Sequence, residues 1–345
     1  MEGMEAAARL ERRGAGRARR LLTEQLRNIA PFATLLFLVA FFGLASPSFL
    51  SFGNLQNVLQ QISVTGIMAV GLTFVILCAE IDLSVAAIAN VAGVVIAFFT
   101  VQDPSVNIHN LPLPGGLAIL LGFAAAFALG EVNAVATTII GIPSFITTLA
   151  MLQIGAGICA VLVRGQIAYA VPPLITTLGS GSIGPVPWIA VMAGLVMLVA
   201  HLVLTYTRFG RYVYMVGGNR EAAEYSGVNV KRIVRAVMVI SAICAGFSGM
   251  LGVAHFGSAQ QNEFDNYLLD SISAVVVGGT SLFGGSGGIG NTILGLLVLG
   301  VLNNGLDHVA IDSFMKILIR GLILLAALII NVYAQRLHGR EPSGA

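Results

Sequence analysis

Six ionisable side chains stand inside or at the edge of long apolar runs: Glu80, Asp82, Glu131, Asp270, Lys316 and Arg320. A charge inside a bilayer costs at least about 2.5–3.5 kcal/mol on insertion scales, so each of these needs a partner, a cap or a water-filled cavity. Asp82-Leu83-Ser84 opens an apolar run, which lets the carboxylate N-cap the helix that follows; lining a solute path is compatible with that role. Glu131 lies in mid-run with Asn133 close by, and either pairs with another helix or faces a cavity. Lys316 and Arg320 stand one helical turn apart. Such groups cap helices, pair across them or line a path for a polar solute. The five histidines (His109, His201, His255, His308, His338) have no metal-ligand spacing, and no Ser/His/Asp set has a nucleophile elbow. No catalytic residue and no metal site is therefore expected. Cys78, Cys159 and Cys244 are too few and scattered for a disulfide framework or a zinc site.

Two glycine-rich patterns need a structural reading. Gly278-Gly279-Thr280-Ser281-Leu282-Phe283-Gly284-Gly285-Ser286-Gly287-Gly288 lacks the Gly-Lys-Ser/Thr ending of a phosphate cradle and sits between apolar runs. It reads as a tight turn with close backbone approach. Ala245, Ser248, Gly249 and Gly252 give small-residue spacing along one helix face, which reads as a packing surface.

The elements that must position these groups follow from composition. Hydrophobic residues make up 57% of 345 and charged residues 10%, against roughly 45–50% and 25% in soluble domains. So few charges cannot cover a soluble surface, which excludes a soluble globular enzyme and a disordered chain; the net charge of +2 gives no basis for a nucleic-acid partner. Apolar runs of spanning length recur at about 29–46, 62–79, 83–100, 116–138, 144–163, 187–206, 233–256, 268–283, 289–306 and 314–333. The expected fold is all-α: a polytopic bundle of about ten transmembrane helices. The eighth run is short and ends in glycines, as a half-helix or re-entrant segment would. The first 28 residues, rich in Ala, Arg and Glu, lack the apolar core and cleavage site of a signal peptide.

Arginine and lysine orient the bundle. Arg9, Arg12, Arg13, Arg17, Arg19, Arg20 and Arg27 precede the first run; Arg208, Arg211, Arg220, Lys231, Arg232 and Arg235 follow the sixth; Arg336 and Arg340 follow the last. These are 15 of 18 basic residues, and ten spans put all three clusters on one side, the cytoplasm. Residues 1–28 then form a cytoplasmic segment, 29–333 a membrane domain and 334–345 a cytoplasmic tail, with outer loops near 101–115 and 164–186. No segment outside the membrane is long enough for an ATPase domain.

The connection 207–232 is polar and cytoplasmic. Asn219 is placed to N-cap a short helix with Glu221 in its first turn, and Gly227 to end it. Two turns are unstable alone in water, so they dock on a surface: the chain's own membrane domain, or a cytoplasmic partner. Ala222 and Ala223 would present a small flat apolar patch, ringed by Arg220, Glu221 and Glu224.

At these residues the chain resembles the permease subunits of bacterial ABC importers for ribose and related sugars. The likeness rests on Gly218, Asn219, Ala222, Ala223, Ser226, Gly227, Val228 and Val230; on Val275 to Gly287; on Ile81-Asp82-Leu83-Ser84-Val85; and on Gly141-Ile142-Pro143-Ser144-Phe145-Ile146-Thr147-Thr148-Leu149. These four motifs occur in order and cover most of the chain. Ala79 and Glu80 stand where that family has Gly-Gly; Ala86, Ala134 and Leu268 depart as well.

The resemblance implies an ABC importer permease fold and a transport subunit that is no enzyme. Two copies, or one copy and a close paralogue, would form the pore in the bacterial inner membrane, with both termini cytoplasmic. A separate ATPase would bind ATP and Mg, while this chain binds no cofactor, and a periplasmic binding protein would deliver a sugar or sugar-like solute. Gly218, Asn219, Glu221, Ala222, Ala223, Ser226 and Gly227 would meet the ATPase. Asp82, Ser84, Glu131, Asn133, Phe145 and Thr148 would border the solute pathway. The alternatives are a permease for branched-chain amino acids or another small solute, and an ion-coupled secondary transporter using Asp82 and Glu131. The second lacks a visible internal repeat and gives the docking helix no purpose.

Overall fold

The computed structural model describes residues 31–101, 113–169 and 173–338, with side chains as far as residue 329 in the last helix. The N-terminal arginine cluster, most of the 101–115 loop and the end of the tail lie outside the described residues.

A helix occupies each apolar run. In chain order they are α1 (Pro31–Ala45), α2 (Phe52–Leu77), α3 (Val85–Thr100), α4 (Gly115–Val135), α5 (Ser144–Val163), α7 (Trp188–Tyr206), α10 (Val230–Phe256), α11 (Asp265–Val277), α12 (Ile289–His308) and α13 (Ser313–His338). Among the described residues, six helices are long and apolar enough to cross a membrane by themselves: α2, α4 with its extension to Ile140, α5, α7, α10 and α12. The eighth run is short, as its glycines suggest: α11 has 13 residues, about 20 Å at 1.5 Å per residue, against a hydrocarbon core of about 30 Å.

Three elements were not expected. A short helix, α6 (Pro173–Ser180), and a two-stranded hairpin of β1 (Ser182–Ile183) and β2 (Val186–Pro187) fill the 164–186 loop. The 207–232 connection holds two helices rather than one, α8 (Arg208–Gly218) and α9 (Arg220–Tyr225).

α2 and α10 form the centre. From Ser63 to Leu77 every residue of α2 is buried, so this helix has no lipid-facing stripe in its second half. α10 packs on α2, α3 and α4. Its small residues make that possible. A Cβ on Gly249 would overlap the Ala89 carbonyl of α3, and one on Gly252 would overlap the Phe264 ring. The small-residue face is thus a packing surface, where close approach replaces the hydrophobic drive that lipid cannot supply. α4, α5 and α7 keep broad apolar faces outward, with Leu120, Ile140, Leu149, Val161 and Leu195 exposed.

Candidate functional site

The extended segment between α2 and α3 gathers the first group. Asp82 Oδ1 accepts from the Ser84 amide at 2.9 Å and the Ser84 hydroxyl at 2.6 Å. Its other oxygen accepts from Ser241 Oγ on α10 at 2.8 Å. Asn133 Nδ2 on α4 donates to Ser84 Oγ at 2.8 Å. Asp82 and Asn133 are each 1% exposed and Ser84 0%. The N-cap reading of Asp82 is corrected: Ser84 is the N-cap residue of α3, with no side-chain capping bond, and Asp82 instead closes a tight turn onto it. The carboxylate's demand for donors is met by three groups from two elements. That staples the 78–84 segment to α10 and, through Asn133, to α4.

The start of α5 clamps the same segment. Thr148 Oγ1 accepts from the Leu83 amide at 3.1 Å, and Ser144 Oγ from the Ile81 amide at 3.2 Å. Thr148 therefore belongs to the knot. Phe145 does not: it lies on the outward face of α5, 48% exposed. Glu131 also stands apart, paired with Arg235 of α10 at 2.8 Å. Of its two sequence readings, pairing with another helix is the one the structure contains.

α9 is built as its sequence demands. Asn219 Oδ1 accepts from the Ala222 amide at 2.9 Å, and Glu221 occupies the first turn. Gly227 ends it at φ +81°, where a Cβ is strained, and lets the Val228 amide turn back to the Ala223 carbonyl at 3.0 Å. The expected Ala222–Ala223 patch is corrected. Successive helical residues point about 100° apart, and here Ala223 is 1% exposed within the permease core while Ala222 is exposed. Ala223 seats α9 on its own membrane domain. The outward surface consists of Glu221, Ala222, Glu224, Ser226 and Tyr225, the last 92% exposed.

Three sequence motifs meet beside α9. The Gly285 amide donates to the Leu77 carbonyl at 3.0 Å, and Tyr214 Oη of α8 to the Gly287 carbonyl at 2.9 Å. A Cβ on Gly217 would overlap the Leu77 carbonyl. The glycine-rich turn, the end of α2 and the end of α8 thus touch backbone to backbone. Burial raises the Tyr214 phenol above its ordinary pKa. Arg220, the first residue of α9, pairs with Glu80 at 2.9 Å, and Ala79 adopts φ +59° beside it.

Two cavities lie at the other end of α2. The inner one, about 220 Å³, is lined by residues of α2, α11, α12 and α13; the outer one, about 380 Å³, shares Gln61 and Tyr267 with it. Asp270 of α11 pairs with Arg320 of α13 at 3.1 Å on the inner wall. Lys316 pairs with Asp307, which borders the outer cavity. Asn54 and Asn304 exchange two amide hydrogen bonds, at 2.7 and 2.9 Å, between α2 and α12. None of the residues named for the pathway from sequence lines these cavities. The signal was present: Asn54, Asn57, Gln61 and Thr65 recur at helical spacing along α2.

A bundle of apolar helices carries a polar cavity at one end and a capped short helix seated at the other. Comparison gives the class. The family model for the branched-chain amino acid transport system permease component matches residues 54–328. The chain is 36% identical to the ribose import permease of Escherichia coli K12 over 314 residues, covering 90% of this chain and 94% of that protein. It is 34% identical to the ribose import permease of Bacillus subtilis (89% and 93% covered) and 32% to the D-allose transport system permease of E. coli K12 (87% and 90%). No solved structure matches. The chain belongs to this family of ABC transport-system permeases: it is a multi-pass membrane transport subunit, not an enzyme.

Proposed function

We propose that this chain forms the membrane path of an ATP-driven importer for a monosaccharide such as ribose or allose. The observation that carries it is the unbroken likeness to ribose import permeases over 90% of the chain. Two copies, or a copy and a close paralogue, form the pore in the bacterial inner membrane. A cytoplasmic ATPase, which binds ATP and Mg, meets Glu221, Ala222, Glu224 and Tyr225 of α9, with Gly218, Asn219, Ser226 and Gly227 shaping that face and Ala223 anchoring it. A periplasmic binding protein delivers the solute. Residues 1–28 and 334–345 lie in the cytoplasm with α9.

The contacts around Gly285 support this orientation. They bring the ends of α2, α8 and α11 to one face, as ten crossings with α11 counted require. The same face holds Arg208, Arg211, Lys231 and Arg232, on the positive-inside side. The exposed apolar face of α4 and α5, carrying Ile139, Ile140, Phe145 and Leu149, supports a seam with the second copy. Phe145 and Glu131 border the path there. Asp82, Ser84, Asn133 and Thr148 support it from behind, and the Glu80–Arg220 pair links that support to α9.

The reading is tested by solute competition. Cells expressing the complete transporter should take up labelled ribose, with unlabelled allose competing and leucine without effect. Leucine uptake in place of ribose uptake would move the chain to the amino-acid importers.

A further inference from the structure

The sequence points to the Asp82 knot as the pathway, yet Asp82, Ser84 and Asn133 there are at most 1% exposed, while a separate polar chamber lies within one copy of the chain. We propose that the inner cavity between α2, α11, α12 and α13 is a binding site for one neutral monosaccharide, entered through the outer cavity. The proposal rests on the sugar-import reading above and adds a holding site apart from the α4–α5 seam, on the side where solute arrives.

The wall chemistry selects the ligand class. Gln61, Asn266, Tyr267, Asp270, Asn303 and Arg320 all line the chamber. Amides offer donors and acceptors together, which is what a ring of hydroxyls requires of its surroundings. The two charges in the wall pair with each other at 3.1 Å, so the chamber carries no net charge to attract an ion. Two atoms of these wall residues, Asn303 Oδ1 and Arg320 Nε, are buried without a hydrogen-bond partner among the described residues. One is an acceptor and the other a donor, and a hydroxyl group is both. Buried polar atoms are normally paired, so a hydroxylated ligand that shifts these two side chains would supply the missing partner of each. Tyr267 supplies an aromatic surface for the apolar side of a sugar ring. The volume, about 220 Å³, takes one monosaccharide.

Access follows from position. Gln61 and Tyr267 belong to both cavities, so the chamber continues into the outer one, which is bordered by Asn57, Gln60 and Asp307. Asn57 lies near the start of α2 and Asp307 at the end of α12. Both ends are opposite to the α9 face, and so face the side where solute arrives. The Asp307–Lys316 pair neutralises the charge at this mouth too.

The test uses the complete permease–ATPase complex in lipid nanodiscs, with Cys78, Cys159 and Cys244 replaced by Ser and Asn303→Cys as the reporter. A small water-soluble thiol reagent should label this site. D-ribose at ten times its Kd should slow the labelling about tenfold, by simple occupancy; leucine should not. Ser182→Cys on the exposed β1–β2 hairpin should label at the same rate with or without ribose. In a second arm, Asn303→Leu should reduce ribose uptake severalfold at saturating binding protein, while ATP hydrolysis in detergent is retained. If the Asn303→Cys complex does not assemble, Gln61→Cys reports from the shared wall. Wild-type uptake of ribose tests the parent reading independently. If the wild type imports ribose, yet ribose leaves labelling unchanged and Asn303→Leu imports normally, the chamber is not a sugar site. If the wild type imports neither ribose nor allose, the sugar reading falls and this site falls with it.

Discussion

At the scale of single residues, a buried carboxylate and a charged pair separate support from transmission. Asp82 is a buried acceptor of three hydrogen bonds. Asp82→Asn would turn an amide donor toward at least one of those donors. Each buried polar group so stranded costs about 1–3 kcal/mol, so the purified variant should melt at a clearly lower temperature than wild type; an unchanged melting curve would show that the knot relaxes freely. Glu80–Arg220 is different, because Arg220 is half exposed. Solvent screening leaves such a pair about 0.2–1 kcal/mol, too little to decide folding. Its position at the first residue of α9 makes it a link between helix and core. Arg220→Glu should therefore leave assembly intact and lower the solute moved per ATP hydrolysed, and adding Glu80→Arg should restore part of it. A transport-to-hydrolysis ratio that ignores both changes would show the pair to be decoration. Neither Ser241 nor the Glu80–Arg220 pair was legible beforehand. Their partners lie 159 and 140 residues away, and a single sequence has no signal for contacts at that range.

At the scale of elements, α9 was legible and its faces were not. Asn219 and Gly227 mark its ends through capping chemistry and a positive-φ requirement, both local properties. Which alanine faces inward depends on how α8 delivers the chain, and α8 was overlooked because Gly210, Gly217 and Gly218 masked the inward spacing of Val213 and Val216. The two alanines therefore predict different failures. Ala223→Arg should unseat α9 from its own membrane domain and reduce the yield of folded permease. Ala222→Arg and Tyr225→Ala should spare folding and release the ATPase, read as loss of co-purification with tagged permease. Equal behaviour of the two alanine variants would contradict this assignment of faces. Gly227→Val places a β-branched residue at φ +81°, at a cost of about 1–2 kcal/mol or more. It should weaken ATPase binding without abolishing it.

At the scale of the whole molecule, the all-α membrane fold was legible because burial in lipid leaves so little choice of secondary structure. Every apolar run became a helix, and α5 lies on the same residues, 144–163, as its run. The half-length α11 followed from the glycines that end it. The polar chamber was missed because amide side chains within apolar helices barely alter a hydropathy window, although they line one side of α2. The proposed ten-crossing topology makes its own prediction. A phosphatase fused after Ala345 should be inactive and a fluorescent protein there should glow; the reverse would place the tail, and with it the parity, on the other side.

The central claim of the proposed function is that ATP hydrolysis in an ATPase docked on α9, and no ion gradient, drives a sugar through this chain. The direct measurement is uptake of labelled ribose into proteoliposomes holding the permease with its ATPase, binding protein outside and ATP inside. The account predicts accumulation that requires internal ATP and persists when ionophores collapse proton and sodium gradients. Accumulation that needs a gradient and proceeds without ATP would contradict it.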